Sequence, residues 1–180
     1  MLVSVIIPTY NRVSFLLESV KCVLQQSYTD FEIVIVSDGS TDNSKEEIAK
    51  LKDSRIKFIE LDKNYGYPAR ARNEGVKLSN GEFIAFCDDD DLWERNKLER
   101  QMEMVDRGYN FIFTNYKFLD GSKTITKKNY LEYMVTFIIN RINTKLSYLF
   151  LGLTNPIVNS SVLVSKHLIV NVKFAESVLY

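Results

Sequence analysis

Phe83-Ile84-Ala85-Phe86-Cys87-Asp88-Asp89-Asp90-Asp91-Leu92-Trp93 is a short apolar run that leads directly into four consecutive aspartates. The apolar half reads as a buried strand. Side chains alternate along a strand, so Asp88 and Asp90 are expected on one face and Asp89 and Asp91 on the other. Carboxylates that close together repel and raise each other's pKa unless a positive charge lies between them. Magnesium and manganese suit that place. They are hard ions that need only one or two carboxylates from the protein and complete their shell with water and substrate phosphates. The run is therefore read as a metal and diphosphate site, with Asp91 also suited to capping the helix that follows Trp93. A buried strand that ends in Asp-x-Asp puts charge where open α/β sheets bind ligands.

Outward from that run, the same alternation of strand and helix repeats. Val3 to Ile7 reads as a buried strand, followed by a helix that Ser14 can cap and whose Leu16, Leu17, Val20, Val23 and Leu24 share one face. Phe31 to Val36 is a second apolar strand, ending in the polar loop Ser37-Asp38-Gly39-Ser40-Thr41-Asp42-Asn43-Ser44. Ser44 and Glu47 have capping-box spacing for the next helix. Ile56 to Leu61 is a third strand, and Pro68 stands at the first position of a helix over Ala69 to Leu78. The acidic strand is fourth. Leu98, Met102 and Val105 mark a further helix, Phe111 to Tyr116 a fifth strand, and Asp120-Gly121 a turn before Ser122 to Thr126. Strands separated by single helices imply a doubly wound α/β fold with a mostly parallel sheet over residues 1 to 116. The loops Pro8 to Arg12, Asp38 to Asp42 and Asp88 to Asp91 all follow strands and are expected to converge.

Composition narrows the function classes. The 180 residues suffice for one well-buried domain, and 23 basic against 23 acidic side chains leave no net charge, so no electrostatic case for nucleic acid arises. Cys22 and Cys87 form neither a disulfide framework nor a metal-thiolate spacing, which fits a reducing cytoplasm. The opening Met1 to Ile7 lacks a basic start and meets Pro8 too early for a signal peptide. No run approaches the roughly 18 apolar residues of a membrane span. The single histidine, His167, is read as structural. Tyr130 to Leu153 mixes aromatic and aliphatic residues with Glu132, Asn140, Arg141, Asn143 and Lys145. It is read as a core-packing helix or pair of helices, the other reading being a lid or a surface that leans on a membrane.

Taken together, Val3-Ser4-Val5-Ile6-Ile7-Pro8-Thr9-Tyr10-Asn11-Arg12, Ser37-Asp38-Gly39-Ser40-Thr41-Asp42 and Cys87-Asp88-Asp89-Asp90-Asp91-Leu92-Trp93 closely resemble the family-2 glycosyltransferases of GT-A fold. Gly66, Ala69, Arg70, Arg72 and Asn73, ahead of Gly81-Glu82-Phe83-Ile84, are similar to the same pattern. The resemblance implies a single GT-A domain over residues 1 to 180, with a nucleotide-sugar-binding half at 1 to 116 and an incomplete acceptor half at 117 to 180. It implies a UDP- or dTDP-linked sugar donor, a divalent metal (Mg2+ or Mn2+), and transfer with inversion to a glycan or lipid-linked acceptor of the cell envelope. The location implied is cytoplasmic, at the inner face of the membrane, with peripheral membrane association.

By the same matching, Pro8, Thr9, Tyr10 and Asn11 belong to the nucleotide site. Asp38 accepts the ring N–H of a uracil or thymine base, and Arg72, or failing that Arg70, contacts phosphate. Asp88 and Asp89 also contact the nucleotide. Asp90 is the metal ligand, with Asp88 a second ligand or a ribose contact. Inverting transfer also needs a general base, placed by the family in a Glu-Asp pair late in the domain. Asn155-Pro156-Ile157, Ser160-Ser161-Val162-Leu163-Val164 and Phe174-Ala175-Glu176 resemble the approach to that pair. However, Val172-Lys173 replaces Gly-Gly, Ala175 replaces Asp, and no Glu-Asp pair follows residue 116. The catalytic base is therefore unknown and expected beyond Tyr180. Asp91 or Glu132 is a conceivable substitute, and Glu176 is read as structural. The alternative is a weakly active or inactive nucleotide-sugar-binding fragment. A dehydrogenase would need Gly-x-Gly-x-x-Gly, a nucleotidyltransferase a Gly-rich loop with a basic residue after the first strand, and an aspartate phosphatase leaves the first two loops unexplained.

Overall fold

The computed structural model describes residues 1–116, 118–120, 123–125 and 157–176. Six strands form one sheet: β1 (Val3–Thr9), β2 (Phe31–Ser37), β3 (Ile56–Glu60), β4 (Phe83–Phe86), β5 (Phe111–Phe113) and β8 (Val162–Ser165), in the order β3-β2-β1-β4-β8-β5. β1, β2, β3 and β4 pair in parallel, whereas β8 is antiparallel to both β4 and β5. Two further strands, β6 (Phe118–Asp120) and β7 (Lys123–Ile125), pair antiparallel, with Asp120 in register with Lys123. The turn read at Asp120-Gly121 reaches outside the described residues. The reading of Tyr130 to Leu153, and Glu132 with it, lies outside the described residues.

Alternation along the parallel strands explains how both faces of the sheet are covered. Val3, Val5, Ile7, Ile33, Ile35 and Ala85 belong to one core, packed by helices α1 (Val13–Leu24), α2 (Ser44–Ala49) and α4 (Lys97–Asp106) through Leu16, Val20, Val23, Ile48, Leu98 and Met102. Ile6, Val34, Val36, Ile84 and Phe86 belong to the other, against Ala71 and Val76 of helix α3 (Pro68–Leu78). A strand apolar at every position is what a sheet covered on both faces requires. Each aliphatic side chain so buried contributes about 1.5–3 kcal/mol.

The fifth strand departs from expectation. It runs in the same direction as β4 but is separated from it by β8, and it stops at Phe113, where the Thr114 N–H donates to the carbonyl of Ser161. A segment from late in the chain thus completes the sheet of the first half. It enters through a 3₁₀ turn, Asn159–Ser161, and leaves into a short helix, α5 (Lys166–Ile169).

Strand order turns in opposite directions from β1, toward β2 on one side and β4 on the other. The carboxyl ends of β1, β2 and β4 therefore open a crevice, the place where a doubly wound sheet has room for a ligand.

Candidate functional site

The crevice is a cleft of about 500 Å³. Pro8, Thr9 and Tyr10 line it from the first loop, Asp38 from the second, Asn64, Gly66 and Tyr67 from the loop before α3, and Asp88, Asp89 and Asp90 from the acidic turn. The three polar loops do converge, and specific bonds hold them. In the first loop Asn11 adopts a left-handed conformation (φ 51°), and its Oδ1 accepts the N–H groups of Thr41 and Asp42 at 2.7 and 3.2 Å. Its own N–H donates to Oγ of Ser40 at 3.1 Å, so Asn11 is turned to the second loop, tying it to the first. Asp42 returns the contact, accepting the N–H of Val13 at 3.1 Å.

That last bond revises the expected start of α1. The helix begins at Val13, Ser14 lies inside its first turn, and the carboxylate from the second loop meets the free N–H at its end. Asp42 also accepts the N–H and hydroxyl of Ser44, while Asn43 rather than Ser44 precedes α2. An acid at both helix starts suits the positive end of each dipole.

Asp38 is buried, and its carboxylate accepts the backbone N–H groups of Tyr65 (3.1 and 3.2 Å) and Gly66 (3.2 Å). It holds the loop before α3 against the second loop. Gly39 permits that approach. Its φ is +68°, and a β-carbon there would lie 2.5 Å from the backbone N of Asn64 and the carbonyl carbon of Lys63.

The acidic run itself is not an extension of β4. The strand ends at Phe86, and the chain turns so that the Asp91 N–H donates to the carbonyl of Asp88 at 3.1 Å. The expected alternation of faces is therefore lost: Asp88, Asp89 and Asp90 all reach the cleft, whereas Asp91 does not line it. Aspartate is a turn former, and four in a row favour the turn over continued pleating. Two serines clasp this turn: Ser19, which carried no reading in the sequence, and Ser160, read there only as part of the approach to the catalytic pair. Ser19 Oγ lies 2.9 Å from the carbonyl oxygens of both Asp89 and Asp91, and Ser160 Oγ accepts the Asp88 N–H at 2.8 Å. Burial pushes the Asp91 carboxyl above the usual carboxylate range, against the opposing effect of the Ser160 hydroxyl.

Two arginines balance the carboxylates. Arg72 is buried and donates to Oδ1 of Asp88 at 2.5 Å, with its guanidinium carbon 5.7 Å from the ring centroid of Phe174. Arg12 places Nη1 2.7 Å from Oδ2 of Asp90 and 3.2 Å from Oδ1 of Asp89. Arg12 was visible in the first motif but carried no assigned role, because its partners lie 77 and 78 residues away. Asp90 and Asp89, in that order, raise the pKa of Arg12 further. Asp89 is buried, and that burial pushes its carboxyl upward, while the Thr9 hydroxyl (2.8 Å) and Arg12 pull it back.

Arg70 is engaged by glutamates instead. It pairs with Glu176 at 3.1 Å and Glu74 at 3.3 Å. Asn73 clamps the backbone of Phe174, donating to its carbonyl at 3.0 Å and accepting its N–H at 2.9 Å, and donates to Glu176 at 2.8 Å. Glu176 is thus engaged in docking the late segment onto α3.

The donor set fits a magnesium or manganese ion in chemistry. Asp88 and Asp90 present oxygen ligands at the cleft, and Asp90 has a side chain 48% exposed. Among the described residues no three acid, histidine or cysteine side chains group to hold an ion unaided. Such an ion would rest on one or two carboxylates, with phosphates and water filling its shell.

Comparison with known proteins agrees with this arrangement. Residues 4–163 match the Glycosyl transferase family 2 pattern. A UDP-Glc:alpha-D-GlcNAc-diphosphoundecaprenol beta-1,3-glucosyltransferase from Escherichia coli is 37% identical over 127 residues, 70% of this chain and 50% of its own length. The S. aureus TarS 1-349 structure in complex with UDP shares 30% identity and a TM-score of 0.64, over 68% of this chain and 38% of that 1-349 chain. A Pyrobaculum calidifontis mannosyltransferase in complex with GDP-Man and Mn2+ shares 25% identity and a TM-score of 0.57, over 63% of this chain and 35% of the other. Against curated relatives, the chain spans from 17% to 56% of their length. With its mostly parallel six-stranded sheet, flanking helices and acidic cleft, the chain has the GT-A fold and belongs to glycosyl transferase family 2.

Proposed function

We propose that the cleft binds a nucleotide-diphosphate sugar, a UDP- or dTDP-sugar, and serves metal-assisted transfer of the sugar with inversion to a glycan or lipid-linked acceptor. The observation that carries this reading is the meeting of three strand-end loops around Asp88, Asp89 and Asp90, with Arg12 and Arg72 among them. Clustered carboxylates and guanidinium groups in one cleft are what a metal-bound diphosphate needs.

Within this reading Pro8, Thr9 and Tyr10 form the wall against base and ribose. Asp38 spends part of its acceptor capacity on Tyr65 and Gly66. Its remaining lone pairs would take the ring N–H of the base. Arg72, fixed on Asp88, suits a phosphate oxygen. Asp90, with Asp88, would hold Mg2+ or Mn2+. The ion would supply charge stabilisation to the departing diphosphate. The relative and neighbour that support the donor and acceptor classes are the Escherichia coli enzyme on a diphosphoundecaprenol-linked acceptor and TarS with UDP. A cytoplasmic place at the inner membrane face, with peripheral association, goes with such an acceptor. Among the described residues no helix is long and apolar enough to cross a membrane.

A second reading is donor binding without transfer. Glu176, the one acid among the described residues 157–176, is already engaged by Arg70 and Asn73, so it is poorly placed to accept a proton. Calorimetric titration of the chain with UDP, with and without Mn2+, tests the shared part. Metal-dependent binding that disappears in Asp90→Ala supports the donor site; a folded chain that binds no UDP refutes it. Sugar release from a UDP-sugar in the presence of candidate acceptors then separates transfer from binding alone.

A further inference from the structure

We propose that Arg12 is a resident counter-ion on Asp90 that gives way when a diphosphate and its divalent ion arrive, so that nucleotide and metal binding are coupled through this one side chain. The inference rests on the donor-site reading above. Its basis is the contrast between the two arginines at the cleft. Arg72 is 7% exposed, packed over Phe174 and committed to Asp88. Arg12 has a side chain 49% exposed, and its further packing is a loose approach to the Phe15 ring, 5.9 Å from the centroid. Its backbone is fixed, because the Arg12 carbonyl accepts the Leu16 N–H in the first turn of α1. The guanidinium can therefore move on an anchored stem.

The two carboxylates it touches are also unequal. Asp89 is buried and held through its other oxygen by Thr9. Asp90 is half exposed and depends on Arg12, whose Nη1 sits 2.7 Å from Oδ2. A divalent ion needs a carboxylate oxygen at about 2.0–2.1 Å, which sets it against a guanidinium already on that oxygen. Asp90 cannot serve both cations without placing like charges side by side. A diphosphate resolves the competition, since a guanidinium matches phosphate oxygens as well as it matches a carboxylate. Arg12 then leaves Asp90 for the diphosphate. Metal alone should bind weakly, and nucleotide should raise its affinity.

The test compares wild type with Arg12→Gln and Arg12→Lys. Mn2+ binding is read from loss of the free-ion paramagnetic resonance signal, with and without UDP, and folding is checked by circular dichroism. Arg12→Gln should bind Mn2+ alone about five- to tenfold more tightly than wild type, and the gain on adding UDP should shrink by a similar factor, within the range of ordinary coupling energies. Arg12→Lys keeps the charge and should stay near wild type for Mn2+ alone. Equal or weaker Mn2+ binding by Arg12→Gln, or equal tightening in both variants, overturns the proposal. A readout without substitution is the Arg12 Nε–H resonance of the wild-type chain, which should shift on adding Mg2+ with UDP; an unmoved signal at saturation also overturns it. If wild type binds no UDP at all, the donor-site reading fails and takes this one with it. If UDP binds with Mn2+ but Arg12→Gln leaves the coupling intact, the donor site stands and the counter-ion role alone is lost.

Discussion

The hydroxyl of Thr9 donates a 2.8 Å hydrogen bond to Oδ2 of Asp89, joining residues 80 positions apart at the centre of the cleft. The bond fixes the acidic turn against the end of β1 and leaves the other Asp89 oxygen to Arg12. Because Asp89 is buried, it cannot replace a lost partner with bulk water. Thr9→Val, which keeps the shape and removes the hydroxyl, should therefore destabilise the fold by about 1–2 kcal/mol. Urea unfolding checks this, and a variant as stable as wild type would show that Thr9 contributes no net hydrogen-bond energy.

Asp38 should act on structure before it acts on any ligand. Asp38→Ala removes the acceptor of the Tyr65 and Gly66 N–H groups. Amide hydrogen exchange at those two positions should accelerate at least tenfold in the absence of nucleotide, with a stability loss of about 1–3 kcal/mol. Asp38→Asn retains one oxygen and should fall between. Unchanged exchange in Asp38→Ala would mean that the loop is held by other contacts.

The layout of the site was legible because each polar loop follows an apolar strand, and strand ends in a doubly wound sheet meet at the switch point. That argument brings Pro8 to Arg12, Asp38 to Asp42 and Asp88 to Asp91 together from the sequence alone. What it missed were relations between distant residues of ordinary type. Arg12 meets Asp90 across 78 positions, and Ser160 meets the Asp88 N–H across 72. The insertion of β8 between β4 and β5 was likewise hidden, since an apolar stretch carries no sign of its pairing partner. Alternation was also carried too far into the aspartates, where turn propensity overrides the strand.

Gly75 shows packing that composition conceals. It lies on α3 where the helix crosses β1, and a β-carbon there would sit 2.5 Å from Cγ2 of Ile6. Ile6 is fully buried, and its branched methyl has no room to retreat. Gly75→Ala should thus cost about 1–3 kcal/mol by overpacking, against the usual gain from replacing a helical glycine. Thermal unfolding gives the sign: a raised Tm would mean that α3 moves off the sheet without penalty.

Lys97 provides a pH signature separate from the cleft carboxylates. It is buried at the start of α4, its Nζ 3.8 Å from the Trp93 ring centroid and 2.9 Å from Oε1 of Gln101. Burial lowers its pKa from 10.5 to about 7, with the neighbouring Cys87 acting weakly the other way. Between those two values the unfolded chain holds a proton on Lys97 that the folded chain has released. Stability must then rise with pH across that window, by up to about 1.4 kcal/mol per unit. Below pH 7 the folded chain carries the full cost of a buried charge. Lys97→Met, of similar length and without charge, should be more stable than wild type at pH 6, and its advantage should fade as pH approaches 10. Urea unfolding of both proteins at pH 6, 7, 8 and 9 measures the difference. A constant offset across that series would mean that Lys97 stays protonated in the fold, with the Trp93 face and Gln101 sufficing to hold its charge.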